Sequence, residues 1–152
     1  MSDQLDDLSS WLTPLISRLQ PTERSQLART IAQQLRRSQQ QRITAQRNPD
    51  GSAYTPRKQR DLRGKVGRIK RKAKMFTKLR TARYIQARGN ASEATVSFAG
   101  RITRIARVHQ YGLRDRAEKG APDVQYPQRQ LLGLSATEQA FIRDQLLAHL
   151  AN

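Results

Sequence analysis

The stretch RYIQARGNASEATVSF, residues 83–98, decides the fold. Arg83–Arg88 and Ala94–Phe98 are strand-like runs, and Gly89-Asn90-Ala91-Ser92 between them is built of turn-forming residues. The pattern predicts a β-hairpin. On both sides the apolar residues return to helical spacing. The expected class is therefore α+β: N-terminal helices, a small antiparallel sheet with a β-hairpin, a central short helix and a C-terminal helix. One domain covers residues 1–152, divided into N-terminal helices 3–46, a basic loop or arm 47–82, and an α+β part 83–152.

Upstream, Leu5, Leu8, Leu12, Leu15 and Leu19 predict a helix over Asp3–Gln20, kinked or split at Pro14. Asp3, Asp6 and Asp7 suit its N-terminus through the helix dipole, which explains them better than a metal or acid–base role. Thr22 is a plausible N-cap for a second helix, Glu23 to about Gln46. Leu27, Ala28, Ile31, Ala32, Leu35 and Ile43 lie in one arc of that helix, with Arg29, Arg36, Arg37 and Gln40 opposite. Asn48-Pro49-Asp50-Gly51 is a turn. Val66, Ile69, Ala73 and Phe76 permit a short amphipathic helix.

Downstream of Gly100, the spacing predicts a helix with Ile102, Ile105, Ala106 and His109 on its core face and Arg101, Arg104 and Arg107 on another. Gly112 is its natural stop. Leu113–Pro127 is rich in charge, with Gly120 and Pro122, and reads as a loop. Gln130–Leu134 suggests a short strand. Ser135-Ala136-Thr137-Glu138 is a capping box opening a last helix that carries Phe141, Ile142, Leu146 and Leu150.

The net charge of +17 is unevenly spread: Arg57–Arg88 holds fourteen Lys or Arg against Asp61 alone. Charge of this kind seeks phosphate or an acidic protein surface. Within it, Arg68, Lys70, Arg71, Lys72, Lys74, Lys78 and Arg80 are the candidate partner- or DNA-facing residues. Neutralising six phosphates would give duplex-DNA affinity a log–log salt slope of about −5. Only Phe76 and Tyr84 interleave the charges, a thin platform for stacking bases. Of the 29 basic residues 22 are Arg, which favours planar multi-donor contacts at interfaces.

The catalytic inventory is poor: two His, no Cys, scattered acids and no nucleotide or hydrolase motif. No catalytic, metal or cofactor residues are assigned, and an enzyme is the weakest class. His109 reads as a satisfied core histidine, and His149 as a favourable partial charge near a helix C-terminus. The acidic start is unlike a signal peptide, and no apolar run reaches the ~20 residues of a membrane span. A cytosolic site of synthesis is expected, where Asn90-Ala91-Ser92 has no glycosylation meaning.

IARVHQYGLRD (residues 105–115) and YPQRQLLGLSATEQAFIRDQLLAHL (126–150) resemble the phage virion morphogenesis family, as do NPDGSAYTPRK (48–58) and KMFTKLRTARYIQAR (74–88). The HQYG and LLGLS blocks are the specific part: Ile105, Ala106, His109, Tyr111 and Gly112 in the first, Leu131, Leu132, Gly133 and Leu134 in the second. Ile105, Ala106 and His109 are expected to face the core, and Leu131, Leu132 and Leu134 to bury behind the last helix. The resemblance implies a non-catalytic virion protein of the neck, assembled in the host bacterial cytoplasm, completing the tail so that it joins a filled head. It further implies a homo-oligomeric ring of six, with the tail terminator, tail tube and head-completion or connector proteins as partners and DNA passing through its channel. No cofactor and no membrane are implied. A basic nucleic-acid-binding protein of ribosomal or nucleoid type is the alternative that the charge alone would suggest.

Overall fold

The computed structural model describes residues 2–58 and 74–151. Helix α1 spans Ser2–Ile16 and contains Pro14 in its last turn. It is one helix rather than two. The amide that proline lacks falls where the helix is about to end, so the loss is confined to that turn. Helix α2, Pro21–Thr44, follows after a short connection. Its N-cap is Gln20 rather than Thr22, because Pro21 occupies the first helical position, where no N–H is needed. The Gln20 N–H donates to Glu23 Oε2 at 3.1 Å.

The hairpin forms as the sequence predicts. Strand β1, Ile85–Gly89, pairs antiparallel with β2, Ala94–Phe98, with Ile85 opposite Phe98 and Gly89 opposite Ala94. Asn90 Oδ1 accepts the N–H groups of Ser92 and Glu93 at 2.8 and 2.9 Å, which fixes the turn. β1 lies along α2 so closely that a Cβ on Gly89 would sit 2.4 Å from the Arg29 nitrogen. No side chain fits there, which is why the strand ends in glycine. A single 3-10 turn, Gly100–Ile102, leads into α3, Thr103–Tyr111. Gly112, with φ 63° and ψ 53°, closes α3 in the left-handed conformation.

Residues 113–127 are not the plain loop expected. Strands β3, Arg114–Arg116, and β4, Asp123–Gln125, make a second small antiparallel pair. The charges that suggest a loop are its fastening: Arg116 Nε donates to Asp123 Oδ1 at 2.8 Å, and Asp115 is held by Arg104 of α3. Helix α4, Ala136–Leu150, opens on the predicted capping box, with the Glu138 N–H to Ser135 Oγ at 3.2 Å and the Ser135 N–H to Glu138 Oε2 at 2.7 Å.

Two apolar cores share α2. In the helical core, Leu8, Leu27, Ile31, Ile142 and Leu146 are buried, with Leu12, Leu35, Leu134 and Phe141 against them. In the hairpin core, Ile43, Tyr54, Met75, Leu79, Ile85, Ala106 and Leu131 are buried, supported by Val96, Phe98 and Ile102. Three expectations need correction. Phe76 has φ 65°, so it turns the chain rather than continuing a helix, while Val66, Ile69 and Ala73 lie outside the described residues. Ile105 does not face the core: it is 48% exposed, and Val108 is buried instead, near the end of α3 where the Leu113 N–H bonds its carbonyl at 2.9 Å. Leu131 is fully buried, but in the hairpin core; Leu134 is the residue of that block that packs against α4.

Candidate functional site

Gln130–Leu134, whose sequence suggests a short strand, does not form one. Its backbone is met by side chains instead. The Gln130 N–H donates to Asn48 Oδ1 at 2.9 Å, and its carbonyl accepts the Tyr54 hydroxyl at 3.0 Å. Gln110 Oε1 accepts the N–H groups of Leu131 and Leu132 at 2.8 and 2.9 Å, while its amide donates to the Leu132 carbonyl at 2.8 Å. Arg42 Nη2 reaches the Leu131 carbonyl at 3.1 Å. Gln39 does for Gly133 what Gln110 does for Leu132: its Oε1 accepts the N–H at 3.2 Å and its Nε2 donates to the carbonyl at 2.7 Å. Every backbone polar group from Gln130 to Gly133 thus has a partner, as burial requires, with no neighbouring strand.

Gln39 and Arg42 also meet Glu138, buried at the start of α4. Glu138 Oε1 accepts Ser38 Oγ at 2.6 Å and Gln39 Nε2 at 2.9 Å, and Arg42 Nη1 approaches both carboxylate oxygens at 3.3 Å. Burial pulls the Arg42 guanidinium below its ordinary value, and the Glu138 carboxylate pulls it back. The same capping residue therefore starts α4, neutralises a buried cation and locks the LLGLS block to α2. Tyr54, behind this junction, is pushed up to about 12 by burial, opposed by Arg42.

A second junction holds the two ends of the basic arm. Arg129, only 4% exposed, donates to the carbonyls of Thr55 at 2.7 Å and Pro56 at 3.1 Å. Its Nη1 lies 3.3 Å from His109 Nδ1. A guanidinium has no acceptor, so Nδ1 carries the lone pair and the His109 proton sits on Nε2. The imidazole is flanked by Phe76 and Tyr126, with ring centroids 4.8 and 5.1 Å away. Burial, then the charges of Arg129 and Arg57, bring His109 down to about 4. On the other end of the arm, Gln46 accepts the Met75 N–H at 2.8 Å and donates to its carbonyl at 3.0 Å. Gln46 has φ 58°, a conformation glycine would take more easily; the amide clamp explains a glutamine there.

Of the basic residues singled out, Arg68, Lys70, Arg71 and Lys72 lie outside the described residues. Lys74 and Lys78 are exposed. Lys74 borders an open groove of about 500 Å³ with Arg37, Gln40, Gln41 and Thr44 of α2. Arg80 is a fastening rather than a free cation: it bonds Thr44, and its carbonyl accepts Gln40 Nε2 at 2.8 Å. In the HQYG block, Ala106 is buried, His109 half-buried, Gly112 the helix stop, and Tyr111 62% exposed. Among the described residues no cluster of His, Asp or Glu could hold a metal ion, and no helix is long and apolar enough to cross a membrane.

The clamp residues Gln39, Arg42, Gln46, Gln110 and Arg129 are not marked by the motifs above, though two of them carry a signal. Gln39 stands between Leu35 and Ile43, and Gln110 follows Ala106, each at four-residue steps along a buried stripe. A polar residue inside such a stripe marks a satisfied buried group.

A family model for the phage virion morphogenesis family matches residues 3–151. Tail completion protein S of Escherichia phage P2 is 43% identical over 140 residues, spanning 91% of this chain and 92% of that protein. No solved structure gives a significant match.

Proposed function

The chain belongs to the phage virion morphogenesis family, and from that membership we propose that it is a structural virion protein that completes the phage tail and helps join it to the DNA-filled head. The observation that carries this reading is the near end-to-end likeness to a protein named for tail completion. The chain acts by shape and charge rather than by catalysis, and it is assembled in the host bacterial cytoplasm. Six copies form a ring about the axis of a contractile tail, at the neck. Its neighbours there are the tail terminator, the tail tube and the head-completion or connector proteins.

The arm that holds Arg68, Lys70, Arg71 and Lys72, with Lys74 and Lys78 at its exit, meets an acidic face of the adjoining ring. A firm grip on phosphate would oppose DNA passage, so any contact with the genome in the channel is weak and exchanges quickly. The two clamps at the ends of the arm support this use: Arg129, ahead of α4, holds Thr55 and Pro56, and Gln46, just past α2, holds Met75, so both ends are fixed beside the hairpin core.

Electron microscopy of a lysate from phage lacking this gene tests the proposal. Separate filled heads and unjoined or misfinished tails are expected. Intact joined particles would sink it and bring the alternative forward, a basic nucleic-acid-binding protein whose affinity falls steeply with salt. Neutralising Arg68, Lys70, Arg71 and Lys72 together should block joining; normal joining would remove the arm from the interface.

A further inference from the structure

Charge on this chain is segregated by element. Residues 1–17 contain three Asp and no Lys or Arg, so all 29 cations lie in the remainder, against nine acids. The acidic segment is helix α1, and it also exposes apolar surface. Leu5 is 47% and Trp11 42% exposed. Asp6 and Asp7 are exposed and form no ion pair with any described residue, although the protein has a large excess of cations. Asp7 and Trp11 are one helical turn apart and share a face. Leu8 and Leu12 hold the adjoining stripe of α1 in the helical core, with Asp7 and Trp11 to one side of it and Leu5 to the other.

The opposite combination appears on α3, which belongs to the hairpin core. There Ile105 is 48%, Tyr111 62% and Leu113 38% exposed. Arg101, Arg104 and Arg107 are exposed around them, and Arg101 and Arg107 have no ion-pair partner among the described residues. Residues 104, 105, 107 and 111 follow three- and four-residue steps along α3 and flank the buried Val108, with Arg101 in the turn just before them. Both patches pair apolar side chains with uncompensated charge, and their signs are opposite.

We propose that α1 of one copy docks on the α3 face of the next, with Trp11 against Ile105 and Tyr111, and the acids Asp6 and Asp7 toward Arg101 and Arg107. Like patches repel, so α1 does not meet α1 and α3 does not meet α3. A two-fold pair that set each α1 on the other copy's α3 would stop at two copies, and the ring reading selects the head-to-tail form instead. A heterologous contact leaves one free patch of each kind on every pair, so it propagates until the rotation closes it into a ring. This inference rests on the ring reading given above and names the surfaces that build it.

Charge reversal tests it. Asp6→Lys with Asp7→Lys makes both patches of a copy basic; Arg101→Glu with Arg107→Glu makes both acidic. By sedimentation at low salt, each double variant should self-associate at least tenfold more weakly than the parent, and an equimolar mixture should restore association. The mixture also shows that both variants are folded. Because the chain has no cysteine, Trp11→Cys with Tyr111→Cys in one chain should give a disulfide-linked ladder, in solution and in purified particles. If the parent associates but the reversals leave it unchanged and no ladder forms, these surfaces are wrong while the ring survives. A parent present as single, uncross-linked copies in both settings would overturn the ring as well.

Discussion

The two cores of this chain are held together by different chemistry. In the helical core, α1, α2 and α4 meet through Leu8, Leu27, Ile31, Ile142 and Leu146, and each helix satisfies its own backbone. In the hairpin core, Ile43, Met75, Ile85 and Leu131 supply the apolar interior, but the irregular segments around it depend on amide and guanidinium side chains for their hydrogen bonds. The first kind of core needs volume and pattern. The second also needs particular donors and acceptors, because a buried N–H or C=O left without a partner costs about 1–3 kcal/mol. Substitutions that conserve size should therefore be tolerated in one core and not in the other.

The largest expected effect is at the junction between them. Glu138→Ala leaves Arg42 buried without its counter-charge and strips partners from Ser38, Gln39 and the Ser135 N–H. Breaking one member of such a pair costs about 3–5 kcal/mol, to be read as a fall in the urea midpoint. A loss below about 1 kcal/mol would show that the network is not the link between the cores.

Next is Gln110→Leu, which nearly preserves shape but leaves the N–H groups of Leu131 and Leu132 and the carbonyl of Leu132 without their partner. About 2–4 kcal/mol is expected from such buried groups. The matched change in the helical core, Leu27→Met, should cost less than about 1.5 kcal/mol. Equal losses would erase the distinction between the two cores.

This difference also explains what the sequence made legible. Helices α2 and α4, the capping box at Ser135 and the β1–β2 hairpin follow from periodicity and local turn chemistry, and all are present. The short strand that Gln130–Leu134 suggests does not form because the partners of this segment are side chains far along the chain: Asn48 is 82 residues from Gln130, and Gln39 is 94 from Gly133. No local pattern encodes those contacts. Ile105 was placed in the core because it keeps the helical spacing of Ile102 and Ala106. Which residues of so short a helix end up covered is a tertiary outcome, and Val108 is buried instead. For the candidate site, Ala106, Gly112 and Leu131 were legible as structural residues. The clamps that hold the arm were not, since a glutamine or arginine in sequence gives no sign of the carbonyl it will meet.

A smaller effect is expected where the two regions touch without polar help. Gly89→Ala drives a methyl group into the α2 backbone at Ala28 and Arg29, and backbone cannot move aside as a side chain could. Overpacking of this kind costs about 1–3 kcal/mol. Hydrogen exchange should show faster opening of β1 and β2 with little change in α1 and α4. Uniform loosening of all four elements would mean that the two cores respond as one.

The smallest effect is a pH dependence confined to the hairpin core. His109 ionises at about 4 in the folded chain, against 6.5 ordinarily, because its ring is buried and faces the charges of Arg129 and Arg57. Between those values the unfolded chain binds the proton more readily than the folded one. The stability associated with neutral His109 is thus fully present above pH 6.5 and is lost as pH falls toward 4. Protonation also places a cation on the imidazole that accepts from Arg129, so the clamp on Thr55 and Pro56 is what weakens first. His109→Gln keeps an acceptor for Arg129 but does not titrate. The urea midpoint of the parent should drop between pH 7 and pH 5, and that of His109→Gln should drop less. Asp50 and Asp115, held below the usual carboxylate range by their hydrogen bonds, titrate under this window and do not confuse it. Equal slopes in the two proteins would mean that His109 is solvated enough to titrate normally, and the arm's clamp would then be indifferent to acid.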